Sequence, residues 1–222
     1  SRAVTMGKIA DVLEVSGQLD EALRIRRDEQ LPVFERIGDV QQRAVTLSKI
    51  ADVFQTRGEF DEALRIRQVE ALPIFERLGD VRSKAITISN IADIFQARGQ
   101  LDEVLRIRRE EELPVHERFG DVRERAVTMG KIAIVLQARG QLDEALRICQ
   151  EEVLPVFERL GDLRSKAITL SNIADILQAG GQLEEAIRIH REGVLPVFEQ
   201  LGDMRSKAIT MNKIADALQA RG

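Results

Sequence analysis

The sequence has no tryptophan, no tyrosine and a single cysteine, and each of these shortages excludes a class of site. Without tryptophan and tyrosine, the chain lacks the usual aromatic platforms on which single-stranded nucleic acids stack, although eight phenylalanines remain. One cysteine, Cys149, can form neither an internal disulfide nor a zinc site made of several cysteines. This cysteine usage is typical of a reducing compartment, so we expect a cytoplasmic protein.

Strong net charge and long apolar runs are also missing. The chain has 33 Lys+Arg against 37 Asp+Glu, and its net charge of -4 predicts no attraction to nucleic acid or to an anionic membrane. No apolar run approaches the roughly 20 residues of a membrane-spanning helix, and the N-terminus has no signal-peptide pattern. Because the first residue is Ser1 rather than a methionine, we expect a part of a longer protein.

Catalytic motifs are equally scarce. The two histidines, His116 and His190, occupy unrelated positions of the repeat described next, so neither a metal pair nor an acid–base pair is expected. The sequence has no glycine-rich phosphate loop and no nucleophile elbow. We therefore predict no enzyme activity, no cofactor and no metal site.

The sequence does contain a repeat of 41 residues. All five prolines recur at this spacing, namely Pro32, Pro73, Pro114, Pro155 and Pro196. Two glycine series do the same, namely Gly17, Gly58, Gly99, Gly140, Gly181 and Gly222, and Gly38, Gly79, Gly120, Gly161 and Gly202. The spacing predicts one continuous array over 1–222, with repeats at 1–38, 39–79, 80–120, 121–161 and 162–202 and a half repeat at 203–222.

Each repeat is predicted to form two antiparallel helices, A and B. Apolar residues recur every three or four positions, which in repeat 2 predicts helix A over Val40–Thr56 and helix B over residues 60–78. Gly58 marks the turn between them, Gly38 ends the preceding helix, and Asp39 caps the next one. We therefore predict an all-α fold of stacked helix pairs with about 5.5 repeats.

The segment Gly58-Glu59-Phe60-Asp61-Glu62-Ala63-Leu64 resembles the helix–turn–helix signature of the tetratricopeptide repeat family. The small residues of that signature fall on Ala51 in helix A and Ala63 in helix B, and the match recurs along the whole chain. The period exceeds the usual 34 residues and is similar to the longer repeats of kinesin light chains and bacterial signalling ATPases. The resemblance implies a right-handed α-solenoid that binds proteins or peptides along an inner, concave face formed by the A helices.

Helix B contains an irregular segment. A proline in a helix interior costs about 3 kcal/mol, and the repeat is one residue longer than its relatives just before this proline. We expect a π-bulge there, with a simple proline kink as the alternative. One position of this segment holds Arg26, Arg67, Arg108, Cys149 and His190. We interpret it as a variable surface position, with a reactive thiol at Cys149 as the alternative.

The resemblance also maps a set of A-helix positions onto the inner face. These inner-face residues are Lys8, Asp11, Ser48, Lys49, Asp52, Gln55, Ser89, Asn90, Asp93, Gln96, Lys131, Ile134, Gln137, Ser171, Asn172, Asp175, Gln178, Lys213 and Asp216. Their polar side chains can bind an extended backbone, and the aspartates favour a ligand with Lys or Arg. Alternatively, lysines and aspartates such as Lys8 and Asp11 pair with each other at i,i+3 and have no ligand.

The predicted function is a protein- or peptide-binding scaffold, part of a larger signalling or regulatory protein. The alternative is a structural spacer or a self-associating module without a peptide ligand. Self-association could use the terminal helices, because neither end of the array carries a polar capping repeat. In that case, a regular filament is disfavoured, and a two-fold pairing of ends is possible.

Overall fold

Every element of residues 2–221, the part of the chain that the computed structural model describes, is a helix or a turn between helices. Ser1 and Gly222, the last member of one glycine series, lie outside the described residues. The predicted all-α fold is confirmed. The A helices are Arg2–Val15, Val40–Thr56, Val81–Ala97, Val122–Ala138, Leu163–Ala179 and Met204–Arg221.

Each B helix has three segments, which are α-helical, π-helical and again α-helical. In repeats 1 and 2 they are Leu19–Arg24, Ile25–Gln30 and Leu31–Ile37, and Phe60–Arg65, Ile66–Ala71 and Leu72–Leu78. In repeat 3 they are Leu101–Ile107, Arg108–Glu112 and Leu113–Phe119. In repeats 4 and 5 they are Leu142–Arg147, Ile148–Val153 and Leu154–Leu160, and Leu183–Ile189, His190–Val194 and Leu195–Gln200. The predicted bounds of both helices in repeat 2 are confirmed.

The π-helical segment ends two residues before the proline in every repeat, where the extra residue was expected. A proline ring collides with the carbonyl group four residues earlier in a regular α-helix, and its nitrogen carries no hydrogen to donate. The wider π turn relieves this collision and leaves Pro73 at the start of Leu72–Leu78, where a missing N–H is tolerated. The π-bulge is thus confirmed, and the simple proline kink is wrong.

Glycine and aspartate shape the turn between consecutive repeats as predicted. Gly38 ends helix B with a left-handed φ of 69°, a conformation that glycine adopts without strain. The Asp39 N–H donates to the Phe34 carbonyl oxygen at 3.0 Å, which closes the helix end. The Asp39 carboxylate then accepts the Gln42 N–H at 3.0 Å and caps the next helix A.

The described residues form two compact units, an N-terminal unit that ends at Ile107 and a C-terminal unit that begins at Arg108. In each unit, small residues allow helices A and B of one repeat to approach closely, because they place little bulk between the backbones. Ala51 and Ala63 in repeat 2, and Ala133 and Ala145 in repeat 4, are fully buried. These are positions that the family resemblance implied. The single continuous array and its repeat boundaries stay predictions.

Two apolar positions differ from the expected core. Leu78 continues the apolar period of helix B, but it is 45% exposed because it lies in the last turn, directly before Gly79. Ile9 continues the apolar period of the first helix A, but it is 43% exposed. Its counterpart Ile50 is buried in a helix A that packs against the preceding helix B, and no helix precedes Ile9 within residues 2–221.

Candidate functional site

The inner-face residues are all reached by solvent. Each of them is exposed or half-buried in the described structure, and each lies on an A helix. The buried stripe of the same helices, such as Ile50, Ala51 and Phe54 in repeat 2, lies on a different helical face. The predicted positions are therefore available for contact with another molecule.

A hollow of about 170 Å³ lies between the first two A helices of the N-terminal unit. Lys8, Asp11 and Lys49 line it, and they were predicted as inner-face residues. Gly7 forms part of its wall and is buried. A Cβ at this position would lie 2.5 Å from the side-chain amide nitrogen of Gln30, so the close packing favours glycine. The sequence therefore predicted a group of residues that the structure brings together.

A second hollow, of about 380 Å³, lies in the C-terminal unit. Four inner-face residues line it, namely Asp175, Gln178, Lys213 and Asp216. Asp216 forms no hydrogen bond or ion pair with any residue between 2 and 221. This hollow thus presents an accessible carboxylate that has no partner within the described chain.

Most of the aspartates that the sequence assigned to a ligand have a partner in their own repeat. The Arg67 guanidinium donates to the Asp52 carboxylate at 2.6 Å and to the Gln55 side-chain oxygen at 3.1 Å. In repeat 1, Arg26 binds Asp11 at 2.7 Å and Glu14 at 2.6 Å. These ion pairs connect helix A to the π-helical segment of helix B, so they are part of the fold.

The arginine position is buried, and its interpretation as a variable surface position is wrong. The side chain of Arg67 is 1% exposed, whereas that of Asp52 is 45% exposed. Arg108, Cys149 and His190 are also fully buried. The position lies four residues after a fully buried residue of helix B, such as Ala63 before Arg67, and therefore faces helix A. A cation buried there is stable only beside an acid. Sequence reasoning missed these partners, although a constant 15-residue spacing between Asp52 and Arg67 was available as a signal.

Repeat 4 contains an apolar version of the same pair. Ile134 replaces the aspartate and Cys149 replaces the arginine, again 15 residues apart. Burial raises the pKa of the Cys149 thiol to about 11, so the thiol stays protonated and unreactive at neutral pH. The reactive-thiol alternative is therefore wrong. Because Ile134 and Cys149 stand in place of the aspartate and the arginine, repeat 4 has neither the buried cation nor its acid at these positions.

In repeat 5 the buried position is a histidine. The Nε2 atom of His190 lies 3.6 Å from one Asp175 carboxylate oxygen, and Lys213 donates to the other at 2.5 Å. Burial tends to raise the pKa of Asp175, but the hydrogen bond and charge of Lys213, together with the nearby His190 ring, outweigh this effect. The pKa of Asp175 therefore lies below its ordinary value of 3.8.

Two lysines of the inner face, Lys49 and Lys213, pair with the preceding repeat and not within their own helix. Lys49 lies 3.7 Å from Asp11, and Lys213 reaches both Asp175 and the Ser171 hydroxyl oxygen of the preceding A helix. Lys8 forms no ion pair with Asp11 in the described part of the chain. The expected i,i+3 pairing is therefore wrong at Lys8, although the idea that these charges stabilise the fold is supported.

A buried polar network occupies the start of the C-terminal unit. Arg108 donates to Glu112 at 2.8 Å, and Glu112 accepts a hydrogen bond from the Thr128 hydroxyl at 3.0 Å. Glu112 takes the place of an apolar or amide residue in the other repeats, such as Ala71 and Gln30. Within residues 2–221, no group of three or more His, Cys, Asp or Glu could hold a metal ion.

None of the helices described between residues 2 and 221 has the length and apolar character needed to cross a membrane.

Comparisons with known proteins indicate the family of this fold. Residues 124–194 match a family model described as tetratricopeptide repeat. Comparison with curated protein sequences finds no match. Among solved structures, the chain is similar to the nearly identical TPR-like repeats of a putative kinesin light chain from Podosopora anserina, with 20% identity and a TM-score of 0.70 over 92% of this chain and 97% of that chain.

Two further solved structures are similar in fold. A signal transduction ATPase with numerous domains, which has a tetratricopeptide repeat sensor and comes from Pyrococcus horikoshii, shares 15% identity and a TM-score of 0.79. The match covers 97% of this chain but 32% of the archaeal chain. A Rap protein complexed with competence and sporulation factor shares 14% identity and a TM-score of 0.64 over 99% of this chain and 64% of that chain. Identities this low establish the fold alone.

Proposed function

We propose that the chain is a tetratricopeptide-repeat scaffold that binds a protein or an extended peptide along its inner face, because residues 124–194 match the model of a family that generally mediates protein–protein interaction. The observation that carries the proposal is that inner-face residues line a hollow in each of the two units. The Rap structure, which was solved with competence and sporulation factor, supports a role of this kind for the fold.

The contacts of the inner face refine the chemistry of the proposed ligand. Arg26, Arg67 and Lys213 neutralise aspartates that the sequence assigned to basic ligand residues. The amide side chains of Asn172 and Gln178 are half-buried and can form hydrogen bonds with a peptide backbone. We propose that the ligand is recognised mainly through its backbone, with a basic residue favoured beside Asp216.

A binding selection tests this proposal. Random peptides displayed on phage are selected on the full chain and tested on a variant with Asn172→Ala, Gln178→Ala and Asp216→Ala. A matched control variant carries Gln68→Ala and Gln150→Ala, which are exposed positions on B helices. We expect the inner-face variant to lose the selected peptides and the control to retain them. Equal retention by both variants, or no enrichment at all, contradicts the proposal.

The second candidate is a spacer or self-associating module. It is favoured by the exposed apolar side chains of the first described helix, Val12 and Val15, and of the last, Met211. Light scattering at increasing concentration tests it, with a dimer expected for the full chain and a monomer for a variant with Val12→Ser and Met211→Ser. A monomer at all concentrations rejects this candidate. Neither candidate assigns a catalytic role to the chain.

A further inference from the structure

The turns between repeats in the C-terminal unit carry pairs of exposed apolar side chains. Phe119 and Val122 flank the first Gly-Asp turn, Leu160 and Leu163 the second, and Leu201 and Met204 the third. These six residues, called the turn edge below, are each between 43% and 70% exposed. Such a row of large apolar residues on a surface indicates an interaction site.

The turns do not need these apolar residues for their own structure. Gly120 provides the left-handed conformation, and the Asp121 N–H donates to the His116 carbonyl oxygen at 3.0 Å. The Asp121 carboxylate accepts the Glu124 N–H at 3.1 Å and caps the next helix. The backbone of the turn is therefore satisfied without a contribution from Phe119 or Val122, and their apolar character needs another explanation.

Neighbouring turns are connected in a row. Arg123 in the first turn donates to the Asp162 carboxylate of the second at 3.1 Å. Arg164 in the second turn lies 2.7 Å from the Asp203 carboxylate of the third. Each turn therefore lies within reach of an arginine side chain of its neighbour, and packed helices in general are spaced about 8–10 Å apart.

The charge beside the turn edge is unbalanced. Two of its acids have basic partners, since Glu158 binds Lys166 at 2.8 Å and Glu199 binds Lys207 at 2.9 Å, whereas the Asp121 carboxylate accepts only the Glu124 N–H among the described residues. Arg118, Arg159 and Arg205 are exposed, and none of them forms an ion pair within residues 2–221. The chain as a whole has a net charge of -4, so arginines without acidic partners beside apolar residues favour an acidic and apolar partner.

We propose that the turn edge docks an amphipathic α-helix of another protein that has acidic residues beside its apolar stripe. A helix with apolar residues at heptad positions a and d presents two of them per ~10.5 Å of its length. The turn edge presents two apolar residues per turn at nearly the same spacing, so about three heptads match its six residues. This docking surface is separate from the inner face and does not rest on the proposed function.

A designed probe tests the proposal with the full chain. The probe is a labelled 21-residue peptide with Leu at a and d and Glu at e and g, and its reversed-charge form has Lys in place of Glu. Binding is measured by fluorescence anisotropy. The turn-edge variant carries Leu160→Ser and Leu163→Ser, and the matched control carries Ile168→Ser and Ile209→Ser, exposed positions on A helices of the same unit. Circular dichroism confirms that all variants are folded.

We expect the acidic probe to bind at least tenfold more weakly to the turn-edge variant than to the control, and the reversed-charge probe to bind at least tenfold more weakly than the acidic one. The proposal is overturned if the acidic probe shows no binding up to ~0.1 mM, or if both variants lose it equally. It is also overturned if light scattering shows a dimer that the turn-edge variant lacks. The proposal is likewise overturned if the chain co-sediments with phosphatidylglycerol vesicles and the turn-edge variant, with Leu160 and Leu163 changed, does not. The turn edge then binds a lipid surface and not a protein helix.

Discussion

At the residue scale, the pairing of Asp52 with Arg67 means that a mutation of this inner-face residue changes the stability of the fold. Removing the acid leaves a guanidinium that is 1% exposed without its charged partner. We expect Asp52→Ala to lower the free energy of unfolding by about 1–3 kcal/mol, because a buried donor loses its acceptor. Urea denaturation measures this change, with Asp61→Ala as a control on an exposed ion pair, which is expected to cost less than about 1 kcal/mol.

The apolar pair of repeat 4 suggests a compensating change. The double variant Asp52→Ile with Arg67→Cys reproduces the residues found at Ile134 and Cys149. We expect it to be more stable than Asp52→Ile alone, because the double change removes the buried charge together with its partner. Equal or greater destabilisation of the double variant in the same denaturation experiment contradicts the pairing.

Cys149 is expected to be inert in the folded chain. Its pKa is raised to about 11 by burial, so very little thiolate exists at pH 7.5, and the side chain has no exposed surface. We expect iodoacetamide to leave the folded protein unmodified and to alkylate Cys149 in urea, as measured by intact mass. Rapid alkylation under native conditions, with the melting temperature unchanged, shows that the thiol is accessible.

Asp175 links stability to acid pH. Its folded-state pKa is lowered from 3.8, so the carboxylate stabilises the fold at neutral pH, and this contribution is lost as the pH falls below about 4. We expect Asp175→Asn to lower the melting temperature at pH 7 and to flatten its decrease between pH 4 and pH 2.5. The exposed Asp143→Asn serves as the control. If the Asp175→Asn variant retains the steep decrease of melting temperature at acid pH, other titratable groups cause that decrease.

At the scale of elements, the π-helical segment and the proline of helix B depend on each other. Deleting the exposed residue Gln68 converts the segment to a regular turn, which brings the Pro73 ring against a carbonyl group. We expect this deletion to cost about 3 kcal/mol, and the additional change Pro73→Ala to recover part of the loss. By contrast, Pro73→Ala alone should have a small effect, because the wide turn already accommodates the ring.

A thermodynamic cycle of these three variants measures the coupling by urea denaturation. Deletion of the equivalent exposed residue Gln150 in repeat 4, with and without Pro155→Ala, repeats the experiment in the other unit. If the deletion and the proline change are additive in both repeats, the extra residue has another role.

At the scale of the whole molecule, the repeat architecture predicts that a local change has a local effect. Repeats interact mainly with their neighbours, so stability is close to a sum of repeat and interface terms. We expect Asp52→Ala to accelerate hydrogen exchange in repeats 1 to 3 more than in repeat 5, as measured by mass spectrometry. Uniform acceleration along residues 2–221 shows instead that the chain unfolds in one step.

The sequence by itself determined the helices, because the signals for helix ends are local. Gly38, Asp39 and the apolar period were sufficient to predict the bounds of Val40–Thr56. The π-bulge was also predictable, since it follows from one extra residue before a proline. The inner-face residues were located from the family resemblance, and some of them line the two hollows, while their role in binding stays a prediction.

The tertiary structure alone decided the partners of the charged side chains. Arg67 meets Asp52 because it lies four residues after the buried Ala63, on the face of helix B that packs against helix A. Lys49 and Lys213 reach acids of the preceding repeat, which depends on how the A helices stack. Charge pairing depends on distances of a few ångströms between residues far apart in sequence, and such distances are set by packing and not by local sequence pattern.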